Sequence, residues 1–546
     1  MKDQGYYRKE HGACSVQKTW SLQLVTLADT RSTYGKSLEI REHAQLLVVG
    51  AGPAGLAAAL EAVRRGLRVV LVDEHPVDYA TMATDVPFHF GQRMSGAVRN
   101  RGRMLERIVE ADSQFAQAFE AGIDIRLGIA AWGLFTHEAG LRWVRTRIAG
   151  LTNGEEVWFL QYDAAILATG RRDVGLAFPG WNLPGVMGVT AADTLLRRYD
   201  ALEARDLLVV GSGAEATAFA MQAQKSSRLI VALVEAGDTT VDQNGSQRLA
   251  AAGVPIFTKS MIASANGGTE GLQSATIVAL GNSSEKRSVA CDTVVLASGV
   301  TSAIELLDVA GAKIVFCPER GGHVPATDAE GRTSVPMLFA AGDCTGITPD
   351  KSRDPQVAAD EGCRAASAAA AALSINAGRN WSVPTATPST TSEIALADRI
   401  AWANAQLAVA DQGTHVCQCE EVSATDLIGV RPPRYLERNQ PATCARSLAT
   451  LAADGPINQD QIKRLTRAGM GVCQGRRCRE QIGAILAAVT RTPLTEIPLP
   501  TYRAPVRPLP LSAFAATEEA AVLAENWDVW FGIESQFEEP LPKRFR

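Results

Sequence analysis

Four cysteines near the end of the chain fall into two groups: Cys417 and Cys419 in VCQCEEV, then Cys473 and Cys478 in GMGVCQGRRC, a C-x-C followed much later by a C-x4-C. Four thiolates are the number that a 2Fe-2S cluster needs on its two irons, and four also close a structural zinc site. The spacing leans to the cluster, because zinc knuckles commonly leave a two-residue gap and neither group has one. Glycines at 469, 471 and 475 let the backbone approach the sulfurs and donate N–H bonds to them. Arg476, Arg477 and Arg479 offset the negative charge of such a group. The apolar run that follows the last cysteine, REQIGAILAAV, predicts a helix whose positive end points at the metal. Two alternatives stay open: Cys444 as a substitute ligand, and His415 in a mixed site. Cysteines 14, 291, 317, 344 and 363 read as small core or surface residues.

A second chemistry is written in glycines. From Gln45 to Glu74 an apolar strand (LLVV) runs into Gly50-Ala51-Gly52-Pro53-Ala54-Gly55, then an apolar helix closed by Arg64-Arg65-Gly66, then a second strand, RVVLVDE. In that setting the glycines form a dinucleotide fingerprint: Gly50 for the tight turn, Gly52 for close approach to a pyrophosphate, Gly55 for helix-on-strand packing. Asp73, or Glu74 beside it, ends the second strand where a carboxylate would meet an adenosine ribose. ILATGRRD carries Thr169-Gly170 in a close turn under the nucleotide, and MLFAAGDCTG ends a strand on Gly342-Asp343. Such an aspartate resembles the one that bonds the flavin ribityl chain in the pyridine-nucleotide–disulfide reductase superfamily, so the ligand expected here is FAD. Gly91-Gln92 resembles a trimmed glycine-glycine-glutamine turn, and Arg93, Arg99, Arg101 and Arg103 either face flavin phosphates or a docking partner, or form a solvated basic helix face.

The same cycle recurs inside the first. DLLVVGSGAEATAFAM places Gly211, Gly213 and Ala216 at the fingerprint spacing, LIVALVEA ends on Glu235, and DTVVLASGVTS echoes the earlier strand. Glu235 with no following arginine suits NAD rather than NADP, and an inherited fold with an empty or differently filled pocket is the competing reading. The motif order predicts an α/β protein with two nested Rossmann-like units and a small helical C-terminal module. The expected boundaries are an N-terminal extension (1–42), an FAD unit in two parts (43–172 and 303–375), an inserted NAD-like unit (173–302), a linker and helix (376–414), a cluster module (415–500) and a tail (501–546).

Composition sets the limits. The 546 residues imply three or four domains, and 46% apolar with 21% charged residues is ordinary for a folded globular chain. A net charge of -5 gives no basic footprint for nucleic acid. The longest apolar stretch, Leu46 to Leu60, is broken by three glycines and a proline, so a buried strand-turn-helix explains it better than a membrane span. Ten cysteines without a recognisable export signal point to a reducing cytoplasm, with association at the inner face of the membrane left open. No cysteine lies between His75 and Gly133, where disulfide-reducing relatives carry a redox pair, so disulfide reduction is not expected.

Taken together, GAGPAGLAAA, PGWNLPGVMGVTAADTLL, the CQCEEV and GMGVCQGRRC pair and YRAPVRPLPLSAFA resemble the large, electron-transferring subunit of the opine oxidase family over about residues 43 to 512. That group also resembles the hydrogen cyanide synthase flavoprotein subunit, dye-linked proline and hydroxyproline dehydrogenases and the front half of heterotetrameric sarcosine oxidase α. The C-terminal module resembles the bacterioferritin-associated ferredoxin fold. The resemblance implies a D-amino-acid-oxidase-like flavoprotein β subunit where an opine, secondary amine or amino acid is dehydrogenated, with a small γ subunit optional. It also implies FAD and the 2Fe-2S cluster on this chain, FMN at a subunit interface as an option, and a quinone or carrier protein as acceptor. No catalytic base is implied on this chain. Two features depart from the pattern: RPPRYLERNQPATCARS looks inserted between the cysteine groups, and the first 42 and last 30 or so residues, with Trp527, Trp530 and Phe531, have no counterpart. A self-sufficient NADH-dependent reductase, loading NADH at Gly211, Gly213 and Glu235, is the alternative; a redox-silent scaffold for a partner is a third.

Overall fold

The computed structural model describes residues 39–77, 93–136, 144, 146–268, 271–375, 392–409, 413–433 and 446–512. The chain separates into two units; Glu39–Thr517 holds everything described below, and the other, Met1–Leu38 with Glu518–Arg546, lies outside the described residues, as do Gln92, Cys444, Trp527, Trp530 and Phe531.

The first nucleotide unit is built on a parallel sheet. Strand β1 (Ile40–Val49) lies between β2 (Val69–Asp73) and β6 (Val157–Leu167), both parallel to it. Strand β3 (Asp124–Leu127) extends the sheet beyond β2, and β4 (Ala130–Phe135) and β5 (Ile148–Thr152) close the other side as an antiparallel meander. From Leu46 to Val49 every residue of β1 is buried, as a parallel strand covered on both faces requires. The helix Pro53–Arg64 covers one face and packs along the helix Pro355–Ile375, which arrives from much later in the chain. The approach is closest at Gly362, where a β-carbon would stand 2.0 Å from the Ala54 carbonyl oxygen.

The second nucleotide unit leaves the first after β7 (Arg171–Asp173). Strands β8 (Val186–Gly188), β9 (Asp206–Val210), β10 (Leu229–Val234), β11 (Ile256–Phe257) and β15 (Thr293–Leu296) make one parallel sheet in the order β11-β10-β9-β15-β8. An antiparallel meander, β12 (Ser260–Gly268), β13 (Gly271–Ala279) and β14 (Asn282–Ala290), crosses beside it. The chain returns through β16 (Val300–Ser302), which pairs antiparallel with β7 and so binds exit to re-entry. After the hairpin β17 (Ile314–Cys317) and β18 (Gly322–Pro325), strand β19 (Leu338–Ala340) inserts beside β6 and completes the first sheet. This is the nested α/β architecture that the motif order predicts.

Among the described residues the C-terminal region is helical apart from the short pair β20 (His415–Cys417) and β21 (Val422–Ser423). Its core is continuous with that of the second nucleotide unit: Phe178, Met261 and Ile262 share one apolar cluster with Trp402, Val416, Leu427, Leu448, Ile462 and Leu486. The helix Ser392–Val409 makes the join, since its Trp402 and Ala405 are buried in that cluster. The residues just past the module are also packed: Tyr502 and Val506 are buried, and the Val506 N–H donates to the Trp132 carbonyl at 2.7 Å.

Candidate functional site

The first glycine turn opens onto a cleft of about 280 Å³, partly open to solvent. Gly50, Gly52, Pro53, Asp73, Glu74, Thr169, Gly170 and Asp343 all line it. Gly50 has φ +110, and a β-carbon there would sit 2.2 Å from the Ala168 carbonyl oxygen, so only glycine keeps the turn against β6. Nothing lies within 4 Å of where a β-carbon on Gly52 would be, which leaves the backbone open to a ligand. Pro53 is the first residue of the helix, whose N-terminus faces this cleft. Ala54 and Gly55 are buried below the turn, and a β-carbon on Gly342 would press on the Ala54 methyl at 2.8 Å.

The two carboxylates expected at the ribose are treated differently. Asp73 is buried and accepts the Ala51 N–H at 2.5 Å and the His75 N–H at 2.7 Å, so it holds the turn in shape. Glu74 pairs with Arg507 at 2.7 Å; burial alone would raise its pKa, but the charge and hydrogen bonds of Arg507 bring it down to about 2. At the other end, Thr169 Oγ1 donates to the Ala303 carbonyl at 2.6 Å, and the Gly342 N–H donates to Glu361 at 2.9 Å. Asp343 is pushed up by burial and pulled back by the charge of Arg171, whose Nε lies 3.5 Å from it. Lys351 braces the turn from behind, donating to the carbonyls of Gly342 (3.1 Å) and Gly346 (2.8 Å).

Seven further polar residues line the cleft outside the glycine fingerprint: His75, Arg171, Arg172, Thr190, Thr194, Arg198 and Arg507; Arg171, Arg172, Thr190, Thr194 and Arg507 fall inside sequence motifs that do not single them out. They come from four separate stretches that only the fold brings together. Among the arginines singled out in the sequence, Arg93 donates instead to the carbonyls of Asp292 (3.1 Å) and Leu272 (3.0 Å) and ties the two nucleotide units together, and Arg101 donates to the Gly128 carbonyl. Because the Gly50 turn has no room for a side chain, Gly50→Val should cost the purified chain nearly all its flavin absorbance while Gly66→Ala, at an open surface turn, should keep it.

In the second nucleotide unit Gly211 repeats the device, with φ +120 and a β-carbon position 1.9 Å from the Ala297 carbonyl oxygen. Gly213 precedes the helix Ala214–Lys225, and Glu235 is fully buried at the end of β10, accepting from Ser212 Oγ at 2.5 Å and from the Gly237 N–H at 2.8 Å.

The four cysteines of the two C-terminal groups are brought together as two pairs. Cys417 shares a hydrogen bond with Cys478, and Cys419 with Cys473. Cys417, Cys473 and Cys478 are buried and Cys419 is half-buried. The Gly469 N–H points to Cys417 Sγ at 3.4 Å, and a β-carbon on Gly471 would meet that of Cys419 at 2.3 Å. Cys473 is lowered to about 6, first by the hydrogen bond from Cys419 and then by the Arg477 N–H and the charges of Arg476 and Arg477. Between the first two cysteines, Gln418 Nε2 is buried without an acceptor among the described residues, a donor that an anionic group would satisfy. Among the described residues no three His, Cys, Asp or Glu side chains surround one point as for a single metal ion. His415, on the same strand as Cys417, is exposed, and its carbonyl oxygen accepts the Trp181 Nε1–H at 3.0 Å.

Arg479 departs from the expected charge offset. It is buried at the head of the helix Arg479–Thr490 and pairs with Glu305 at 2.9 Å, stacking over the Tyr502 ring at 5.1 Å. Glu305 also carries a two-bond ion pair with buried Arg172, which lines the cleft. A chain of buried ions therefore runs from the nucleotide cleft to the residue after Cys478.

This nested pair of glycine turns places the chain among the two-dinucleotide flavoproteins: it belongs to the pyridine nucleotide-disulphide oxidoreductase family, whose sequence profile matches residues 44–371, and it is an oxidoreductase. A profile of the sarcosine oxidase A3 domain matches residues 443–518. More particularly, the chain is similar to an opine oxidase subunit of Agrobacterium tumefaciens, 28% identical over 87% of this chain and 92% of that protein. It is likewise similar to hydrogen cyanide synthase subunit HcnB of Pseudomonas aeruginosa, 27% identical over 86% and 97%. The crystal structure of L-proline dehydrogenase from P. horikoshii shares the fold, with a TM-score of 0.52, 18% identity, and coverage of 87% of this chain and 80% of that one. The family match supports FAD as the group the cleft takes. No described helix is long and apolar enough to cross a membrane.

Proposed function

We propose that this chain is the electron-transferring subunit of a heteromeric opine, secondary-amine or amino-acid dehydrogenase, with FAD in the first cleft and a 2Fe-2S cluster on Cys417, Cys419, Cys473 and Cys478. The observation that carries the reading is the convergence of four thiols in two pairs on the same chain as the nucleotide cleft, joined to it by the Arg172–Glu305–Arg479 ions. Two pairs of sulfurs suit two irons, each taking two thiolates. FAD supplies the exchange between two-electron and one-electron transfer, and the cluster supplies single-electron transfer. The chain's own residues position these groups: the Gly50–Gly55 turn and helix N-terminus meet the pyrophosphate, Asp343 the ribityl end, and Arg476 and Arg477 the charge of the thiolates.

The relatives named as subunits support a partner for this chain, proposed to be a D-amino-acid-oxidase-like flavoprotein. On that partner the substrate loses a hydride from carbon and a proton from nitrogen, and the resulting imine is hydrolysed by water. The two electrons leave through this chain to a quinone or carrier protein. The test is purification of this chain from its native cell, with iron and acid-labile sulfide assayed and co-purifying proteins identified. Stoichiometric recovery of a second flavoprotein, with two irons per chain, is the expected result; recovery of this chain alone and free of iron would end the reading.

A further inference from the structure

The second glycine turn has the spacing of a dinucleotide site, but its ligand positions are taken by the chain itself. In GSGAEA the fifth residue, Glu215, lies in the first turn of the helix Ala214–Lys225, where free N–H groups would meet a pyrophosphate. Its side chain is only 16% exposed, and one carboxylate oxygen accepts from Ser352 Oγ at 2.6 Å. Arg171, which lines the first cleft, donates to the same Ser352 Oγ at 3.0 Å and lies 3.8 Å from the same Glu215 oxygen. A carboxylate in the first turn interacts favourably with the positive helix end and repels the two charges of a pyrophosphate in a poorly solvated place.

The rest of the turn is covered as well. The Ser212 carbonyl accepts the Asp242 N–H at 2.8 Å, and Ser212 Oγ accepts the Val241 N–H at 2.9 Å, so the loop after β10 crosses the glycines. Asp242 is fixed by Thr217 Oγ1 at 2.6 Å and by Arg353 at 3.1 Å. Ser352 and Arg353 both belong to the short helix Pro349–Arg353, which is part of the first nucleotide unit. Glu235, at the ribose position, is 0% exposed, with each carboxylate oxygen already bonded, one to Ser212 and one to Gly237.

We infer that Glu215 stands in place of the dinucleotide pyrophosphate, so that the second turn is closed to NAD(H) and serves as a clasp, through Ser352 and Arg171, onto the flavin-binding unit. Electrons then enter the chain from a protein and not from a pyridine nucleotide, whatever the amine substrate of that protein is. The test is direct titration of the full chain with NADH, read by energy transfer from tryptophan to the bound nicotinamide, for the native chain, Glu215→Gln and Glu215→Ser. Glu215→Gln keeps the shape and a hydrogen-bond acceptor for Ser352 and removes only the charge. The native chain is expected to show no saturation up to about 1 mM NADH, and both variants to bind at least about tenfold tighter. Micromolar binding by the native chain would overturn the inference. Failure of both variants to gain affinity, with their melting temperatures unchanged, would overturn the assignment to Glu215.

Discussion

Cys478→Ser in the full chain should remove the absorbance of the proposed iron–sulfur cluster and bring bound iron and acid-labile sulfide close to background, while the flavin spectrum stays. Cys478 is buried, pairs with Cys417 and stands at the head of the helix Arg479–Thr490, so water is kept from the place of its sulfur and the serine hydroxyl left there is a poorer iron ligand than a thiolate. The loss should extend to stability. Cys417 ends β20 and Cys478 immediately precedes a helix far along the chain; the proposed cluster would tie the two elements together, and its binding free energy would then be folding free energy. Without it, buried thiols face one another with only S–H hydrogen bonds between them, and the C-terminal module is expected to become the first part to exchange amide hydrogens. Cys344→Ser is the control: that thiol is equally buried but bonds the carbonyls of Leu167 (3.1 Å) and Ala341 (3.2 Å) beside the nucleotide cleft, and iron content should not change. Equal loss of iron in Cys444→Ser would refute the proposed ligand set.

The cleft is legible in the sequence because each of its motifs is local. GAGPAG, the strand before it and Asp73 after it lie within one stretch, and the steric demand on Gly50 is a backbone property that survives in the sequence. The nesting is legible too, since β19 has to carry Gly342-Asp343 back to the first sheet beside β6. The partners of the charged residues are not. Arg507 meets Glu74, Arg479 meets Glu305 and Arg93 meets the Leu272 carbonyl, and each match crosses an element boundary that no periodicity announces. Arginine beside cysteine reads as charge compensation in a linear sequence, yet the long side chain of Arg479 reaches away into the first nucleotide unit. The sequence places a linker and helix over 376–414 without showing what the helix packs on; Trp402 and Ala405 of Ser392–Val409 are buried in the core that the module shares with the second nucleotide unit. Glu215 shows the opposite failure: its position is plain in GSGAEA, but the glycines around it have the spacing of an open site and only Ser352 and Arg171 reveal that it is spoken for.

Glu305→Ala should destabilise the chain by about 3 to 5 kcal/mol, the usual cost of breaking a buried ion pair by removing one partner. The side chains of Arg172 and Arg479 are 2% and 1% exposed and share this carboxylate; Arg479 keeps a second ion pair with Glu480 at 3.4 Å, so the loss falls mainly on Arg172, whose two-bond partner is removed away from water. Replacing all three residues by apolar ones of similar size should cost far less than the single change, because no charge is then left buried. A pH signature separates this network from simple packing. Burial alone would raise the pKa of Glu305, but the charges of Arg172 and Arg479 hold it well below the ordinary value of 4.5. A carboxylate whose folded pKa is depressed contributes its stability fully above the unfolded pKa, and that contribution drains away as pH falls through the window below 4.5. The denaturant midpoint of the native chain should therefore fall steeply below that pH, whereas Glu305→Gln, already weaker at neutral pH, should show a shallower slope there. Parallel pH profiles for the two would mean that Glu305 is not the ion on which Arg172 and Arg479 depend, and that the connection between cleft and cysteines is one of shape rather than charge.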